Sequence, residues 1–451
     1  MISKEDKIFL SFGAIIIILC LSFYLIAYFP GFMSTDSISQ WSQMISFKFT
    51  NWHPVISTLF YYLCTKIWYS PASVAIAQIL ILTAVFLSGI YMLLRMKVNK
   101  ILLAITIIFF SLYPTNGFLV IALWKDIIYS IMLLLATIIL LEILHSKGEW
   151  IKVKSHKLIF LVNSLGILFF RHNGILTFVF VVVTLAIIYR EYLKAYFILT
   201  TVILLIYFIV SGPGFKLLKV VNEPSVEVLG IPMQQVAAVI KYNGNINEVQ
   251  KEFFSRILPL ELWKSEYNPY STNTIKFHSK FDVTYASEHK VEFIKNWLSI
   301  VKNNPGITAK AYLKHTSMIW SVKPLQDSYT YTVTAGITTN NLGLKNYLIS
   351  PEINKFANRI LSFTQESGKM ILFWRPALWL YISILGAIII AKYKGFQYLI
   401  LLIPILSNAL AFMIATPAQD YRYQYANFLI AAILVPLAVQ LISSRKHIVE
   451  N

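Results

Sequence analysis

Apolar positions in this chain come in long runs, and polar positions gather in the gaps between them. Runs at 8–29, 72–94, 118–144, 195–211, 371–391 and 423–442 meet or approach the roughly 20 residues a helix needs to cross a bilayer. Four further runs, at 101–113, 158–170, 175–189 and 396–415, complete the set, and 101–113 and 158–170 are short. Short spans are tolerated where protein shields their backbone ends from lipid. The pattern predicts an all-α polytopic membrane protein with about ten transmembrane helices. The run at 55–69 is short and contains Lys66, so it reads as a re-entrant or interface-lying helix.

The basic residues orient these helices. With Lys4 and Lys7 inside, the chain returns inward at Arg95, Lys97 and Lys100, at the four lysines of 145–157, at Arg190 and Lys194, at Lys392 and Lys394, and at Arg445-Lys446. Every short inner loop is then basic, as the positive-inside rule asks. Counting 55–69 as a full crossing would turn all later loops outward. Both termini are therefore expected on the cytoplasmic side. The first run lacks a small-residue cleavage site and reads as a retained helix.

One long polar stretch, 213–369, is expected outside the membrane and mostly helical. Apolar spacing near 3.6 recurs at 226–242, 288–301 and 308–320, with breaks at Asn268-Pro269, Asn304-Pro305 and 340–343. The expected division is a membrane bundle at 1–212, carrying a first outer loop at 30–54, an extracytoplasmic helical domain at 213–369, and C-terminal membrane helices at 370–451.

Composition supports this class. Hydrophobic residues make up 57% of the chain and aromatic residues 15%, which suits aromatic belts at two membrane interfaces. The formal net charge of +18 is accounted for by orientation and by anionic headgroups, so nucleic acid is not an expected partner. Cys20 and Cys64 lie in apolar runs without a Cys/His cluster. They read as packing residues, not zinc ligands.

Under this topology the ionisable motifs collect at one face. Asp36 is the only acid between the first helix and residue 126. It suits a helix N-cap, and also a general base at the edge of a low-dielectric cavity. His53 closes the same loop. Lys125 and Asp126 interrupt the apolar run at 118–144, where charged groups are costly and face a cavity or each other. Lys125 is a candidate anion ligand. Arg is scarce, eight against 31 Lys, yet Arg171 and Arg422 both fall at outer span ends, with His172, Asp420 and Tyr421 beside them. Guanidinium suits bidentate phosphate binding, or snorkels to headgroups. Arg375 is a third basic candidate. Gln234 and Gln235 are paired amides able to bond sugar hydroxyls, or members of an amphipathic helix.

The set Pro-Gly-x3-Thr-Asp-Ser (30–37), Asn-Trp-His-Pro (51–54), Trp-Lys-Asp (124–126), Arg-His-Asn-Gly (171–174), Ile-Pro-Met-Gln-Gln (231–235) and Asp-Tyr-Arg-Tyr (420–423) resembles bacterial polytopic glycosyltransferases of the GT-C superfamily, of the type that decorates O-antigen or wall polymers. The resemblance implies a GT-C-like bundle in the bacterial cytoplasmic (inner) membrane with an extracytoplasmic active site. It implies a polyprenyl-phosphate-linked sugar as donor and a glycan or wall polymer as acceptor. By position Asp36 matches the catalytic acid, and Lys125, Arg171 and Arg422 would contact donor or phosphate. Many superfamily members carry a paired Asp-Glu in that loop. This chain has Asp36-Ser37, which leaves a divalent metal open. Two other classes share these features: an O-antigen polymerase or ligase, and a transporter of a lipid-linked sugar. The inverted repeats common in transporters are not visible here.

Overall fold

The computed structural model describes residues 3–223, 226–329 and 335–449. Among them every regular element is helical, and extended residues pair only in isolated bridges. The chain begins with α1 (Lys4–Ala27), α2 (Thr35–Ser46), α3 (Val55–Ile67), α4 (Pro71–Arg95), α5 (Lys100–Leu112), α6 (Pro114–Val120), α7 (Lys125–His145), α8 (Lys154–Phe170), α9 (Gly174–Ile188) and α10 (Leu193–Ile209). Several starts follow directly from side-chain chemistry. Ser3 caps α1, Ser70 with Pro71 opens α4, and Asn99 caps α5. Each supplies an acceptor to amides that the first turn leaves without a helical partner.

Among the described residues seven helices are long and apolar enough to cross a membrane: Lys4–Ala27, Pro71–Arg95, Lys125–His145, Arg190–Leu217, Pro376–Lys394, Phe396–Ala415 and Tyr421–Ser444. The pair α5 and α6, bent by 57°, makes an eighth if taken as one broken span. These helices fit a multi-pass membrane protein. At 13, 17 and 15 residues, α3, α8 and α9 are shorter than that.

The expected continuous span at 118–144 is interrupted. Helix α6 stops at Val120 and α7 starts at Lys125. Between them the backbone pairs with the first loop: Phe32 N donates to Ile121 O at 3.0 Å, and Leu123 N to Phe32 O at 2.9 Å. Lys125 and Asp126 therefore open a helix instead of interrupting one. Gly31 makes this approach possible. Its φ is +119°, and a Cβ there would meet the Ile121 carbonyl oxygen at 2.7 Å.

Helix α7 is the centre of the bundle. Nearly all of its side chains are buried, against α4, α8 and the last helix. Stacked rings tie the layers together, Phe86 on Phe110 at 3.7 Å and Tyr113 on Phe428 at 4.1 Å.

The polar stretch contains α11 (Phe215–Leu217), α12 (Gly230–Lys241), α13 (Glu248–Ile257), α14 (Leu260–Ser265), α15 (Asn273–Lys276), α16 (Val283–Glu288), α17 (Lys290–Asn303), α18 (Pro305–Trp320) and α19 (Pro351–Gln365). Met233, Phe254, Trp263, Phe293 and Ile300 form its own core. Helix α19 does not belong to that core: its Ala357 and Leu361 join the bundle core, against α1. The chain ends with α20 (Met370–Trp374), α21 (Pro376–Lys394), α22 (Ile403–Ala415) and α23 (Ala426–Val449).

The polar domain grips the turn between α22 and α23. Gln419 Nε2 donates to Ser317 Oγ at 2.7 Å and to Lys314 O at 2.9 Å, while Gln419 N donates to Tyr270 O at 3.0 Å. His315 Nε2 meets Thr416 O at 2.8 Å. A Cβ on Gly230 would meet the same Thr416 carbonyl oxygen at 2.6 Å. These contacts set the polar domain directly over the end of the bundle where α2, α7 and α9 begin.

Candidate functional site

Five segments meet at that end. The first is the start of α2, where Ser34 is the N-cap and Asp36 lies one residue inside the first turn. A carboxylate there is favoured by the helix dipole. Ser37 Oγ donates to Leu123 O at 2.6 Å, Trp124 Nε1 donates to Ser34 Oγ at 2.9 Å, and the Tyr61 hydroxyl also donates to Leu123 O. These bonds lock α2 onto the break before α7 and bring Asp36 to Lys125.

The second segment is 49–54. Val221 N donates to Phe49 O, Asn51 N to Val221 O, and Glu223 N to Asn51 Oδ1, which fixes Trp52 and His53. Arg171 ends α8 in an extended conformation and is followed by His172 and Asn173. Arg422 sits in the one-turn helix Tyr421–Gln424 after the gripped loop. The fifth segment, from the polar domain, brings Glu227, Asn273 and Lys276.

Together they enclose a cavity of about 380 Å³, lined among others by Asp36, His53, Lys125, Arg171, His172 and Arg422. Six residues singled out in the sequence thus line one space. Asp126 stands just behind it, 1% exposed, in direct contact with Arg171 Nη1 and 3.6 Å from Arg422 Nε. Asp420 holds Arg422 Nε at 3.0 Å and accepts the Arg422 amide at 3.1 Å, so it orients the guanidinium. Tyr421 is fully buried against Trp374, away from the cavity wall.

Gln234 and Gln235 are placed elsewhere. Gln235 donates to Thr308 O at 3.0 Å and accepts from Trp297 Nε1 at 2.7 Å; Gln234 donates to Asn268 O at 2.8 Å. Both are buried inside the polar domain and neither lines the cavity. Residues 230–239 of α12 are all buried, so the helix is enclosed on every side and both amides are satisfied inside the domain. Arg375 is also fully buried, its Nη2 donating to Ser328 Oγ at 3.1 Å outside the cavity.

The charges nearly cancel. Arg171 pairs with Asp126, Arg422 with Asp36 at 3.1 Å and with Asp420, and Lys276 with Glu227 at 2.5 Å. Among the described residues, Lys125 is the cavity cation without a carboxylate partner. Its Nζ lies 2.7 Å from His53 Nδ1. Rings hold the two arginines in place. The Arg171 guanidinium lies 4.6 Å from the Phe412 ring and 4.9 Å from Tyr423, and that of Arg422 lies 4.6 Å from Trp124, within cation–π range.

Burial disfavours ionisation of Asp36, but the charges of Arg422, Lys125 and His53, with the Arg422 hydrogen bond, outweigh it. The carboxyl is held well below the usual carboxylate range. Burial and the neighbouring Lys125 charge push His53 down to about 3, against the opposing pull of Asp36. His53 is therefore neutral at ordinary pH.

The donor set does not fit a metal ion. Among the described residues no three His, Cys, Asp or Glu side chains are grouped to share one. Asp36, Asp126 and Asp420 direct their oxygens at guanidinium groups instead. The arrangement places the Asp36 carboxylate and the Lys125 amine on one cavity, with Arg171 and Arg422 also in its lining.

The wall residues Glu227, Asn273 and Lys276 were not foreseen. Asn273 and Lys276 lie on a four-residue helix with no periodic pattern, where an asparagine or lysine reads as an ordinary surface residue, and Glu227 reads as a polar position at the start of the periodic stretch 226–242. Only Trp52, inside the Asn-Trp-His-Pro motif, carried any sign.

A family model, described as a family of unknown function (DUF6020), matches residues 41–450. The chain belongs to that family. No curated protein and no solved structure matches it.

Proposed function

We propose that this member of the DUF6020 family is an integral-membrane glycosyltransferase that moves a sugar from a polyprenyl-phosphate carrier to an extracytoplasmic glycan or wall polymer. One observation carries the reading: Asp36, Lys125 and Arg422, from segments up to 386 residues apart, line one 380 Å³ cavity at the end of an apolar helix bundle. A base and a free cation facing each other at a membrane surface suit displacement of a phosphate from a sugar.

In this reaction the acceptor hydroxyl attacks the anomeric carbon and its proton passes to Asp36. The bond between the anomeric carbon and the phosphate oxygen breaks, and its electron pair stays on the phosphate. Lys125 stabilises the charge that develops there. Arg422 fixes the Asp36 carboxylate, and Asp126 with Arg171 fixes the floor. His53 takes no proton. Its Nδ1 accepts from the ammonium, which leaves Nε2–H toward Asp36. A single in-line displacement inverts the anomeric centre. No step is routed through a metal.

The reading carries a topology. About ten helices cross a bacterial cytoplasmic membrane, with α8 and α9 as short spans and α3 at the interface. Both termini are cytoplasmic and the cavity opens on the other side, where no nucleotide-sugar pool exists and an activated sugar must arrive on a lipid.

The test compares surface glycans of cells expressing wild type, Asp36→Asn or no protein, by mass and NMR. A sugar substituent present with wild type and lost in Asp36→Asn at equal protein level supports the reading. A change in chain length alone would favour a polymerase, and identical glycans in all three would refute the enzyme.

A further inference from the structure

A second cavity, a groove of about 700 Å³, shares no lining residue with the site above. Leu19 and Phe23 of α1, Leu112 of α5, and Phe356, Ile360 and Phe363 of α19 line it. Leu19, Leu112, Phe356 and Phe363 are exposed. Contiguous apolar surface of this kind marks contact with a membrane or with another molecule. Among the described residues the groove has one charged side chain in its lining, Arg359.

Helix α19 has the build of a helix that lies at a membrane surface. Phe356, Ile360 and Phe363 recur at i, i+4 and i+7 and share one face. Beside them Ala357 and Leu361 join the bundle core. On the other flank of the apolar stripe stand Arg359 and, one turn earlier, Lys355, both exposed. Two acids of this segment are engaged elsewhere: Glu352 accepts from Ser350 Oγ at 3.0 Å, and Glu366 pairs with Lys369 at 2.6 Å. Among the described residues Arg359 has no ion pair and no hydrogen-bond partner.

The helix is fastened where α1 ends. Asn354 Nδ2 donates to Ala27 O at 2.8 Å, and the Tyr28 hydroxyl donates to Asn358 Oδ1 at 2.8 Å. The first bond satisfies a carbonyl that the last turn of α1 leaves without a helical partner. Phe23 meets Phe356 edge-on, with ring centroids 5.9 Å apart. Because α1 is long and apolar enough to cross a membrane, its end marks a membrane boundary. Arg359 follows Asn358 directly and stands near that level. Leu19 lies about 12 Å further back along α1, at 1.5 Å per residue. A cation at the boundary with apolar walls running inward matches a lipid, anionic at the head and hydrocarbon in the tail.

We propose that this groove binds one anionic glycerophospholipid, its phosphate at Arg359 and an acyl chain along Phe356, Phe23 and Leu19. The proposal needs only the membrane helices and stands apart from the glycosyltransferase reading. Guanidinium suits phosphate, and a basic edge attracts anionic headgroups. A zwitterionic lipid would bring its own cation against Arg359 and Lys355. A lipid-linked sugar donor is a different ligand, because its phosphate must reach Lys125, which is not in the groove's lining. Lipid bound to the folded protein alone stabilises it, and here it would brace α19 against α1.

The test is native mass spectrometry of the purified full-length protein in detergent, titrated with phosphatidylglycerol, phosphatidylcholine or a polyprenyl phosphate. Wild type is expected to take up its first phosphatidylglycerol at about tenfold lower concentration than phosphatidylcholine, equivalent to roughly 1.4 kcal/mol. Arg359→Gln should remove that preference. Leu19→Trp, which fills the groove from an exposed position, should weaken binding of both phospholipids. Lys310→Gln, outside the groove's lining, should leave the preference unchanged and so controls for net charge. Arg359 and Leu19 are both exposed, so these variants are expected to fold, which their melting temperatures check. Equal uptake of the two phospholipids by wild type, an unchanged preference in Arg359→Gln, or unchanged binding in Leu19→Trp overturns the proposal. Tighter binding of polyprenyl phosphate than of phosphatidylglycerol, lost in Arg359→Gln, would overturn it by giving the groove to another lipid.

Discussion

Nζ of Lys125 lies 2.7 Å from Nδ1 of His53. When Lys125 is protonated it can only donate, which assigns Nδ1 as acceptor and the imidazole proton to Nε2, 4.0 Å from Asp36 Oδ1. One neutral ring thus spaces the cation from the carboxylate.

Lys125→Gln removes the cation that lacks a carboxylate partner and keeps a polar side chain of similar reach. Losing one preorganised donor to a developing oxyanion costs about 10²–10³-fold in turnover. Transfer from a polyprenyl-phosphate sugar in proteoliposomes should fall by that order. Unchanged turnover would assign the leaving phosphate to another group.

Asp36→Asn preserves shape and a hydrogen bond to Arg422 but cannot take a proton. General-base catalysis contributes about 10²–10⁴-fold, and the same proteoliposome assay should lose that much. Arg422 keeps Asp420 at 3.0 Å, but the variant gives up the stabilisation that the depressed carboxyl supplies at neutral pH, so its melting temperature should fall and turnover is compared per folded protein. A variant that folds and retains full turnover would reduce Asp36 to a helix-start residue.

Long apolar runs and basic loops made the membrane helices readable from the sequence, because burying a segment in lipid leaves a compositional mark. The break before α7 left none. Ile121–Trp124 are as apolar as the helices they separate, and their pairing with Phe32 runs through backbone atoms. Asp36, Lys125, Arg171 and Arg422 were legible because charge beside an apolar run is conspicuous. Gln234 and Gln235 misled because an amide on an amphipathic helix is equally at home against a ligand or, as here, against Trp297 and main-chain carbonyls. Asn273 and Lys276 became visible only through long-range folding, which seats α15 over the bundle by way of Thr272 and Pro417.

The Asp126–Arg171 pair is expected to act on stability more than on chemistry. Both side chains are largely buried, Asp126 at 2% and Arg171 at 13% exposure, and Arg171 is packed among Tyr129, Phe412 and Tyr423. Removing one partner of a buried pair strands the other charge, at about 3–5 kcal/mol, whereas replacing both by apolar groups is often far milder. Thermal denaturation in detergent should show a large loss for Asp126→Asn and partial recovery for Asp126→Leu with Arg171→Met. Recovery should stay partial because Arg422 also faces Asp126, at 3.6 Å. Equal losses in the single and double variants would show that the two residues do not act as a pair.

The pH dependence of transfer separates Asp36 from His53 as the base. Burial would raise the Asp36 carboxyl, and the charges of Arg422, Lys125 and His53 lower it further than burial raises it. A carboxyl depressed in the folded state stabilises the fold above its unfolded value, near 3.9, and that contribution is lost as pH falls through the folded value. The rate should follow the same group. On the acidic side, turnover of wild type is expected to stay level down to about pH 5 and to fall only below the ordinary carboxylate range. Arg422→Gln removes the largest lowering influence and leaves burial less opposed, so its acidic limb should move upward, toward or above the ordinary range, with lower turnover at the plateau. His53→Gln removes the smallest of the three lowering charges, so its acidic limb should move upward by less than that of Arg422→Gln, and a ring pushed down to about 3 adds no limb of its own near neutrality. A wild-type limb near the ordinary histidine value of about 6.5, abolished in His53→Gln, would transfer the base from the carboxylate to the imidazole.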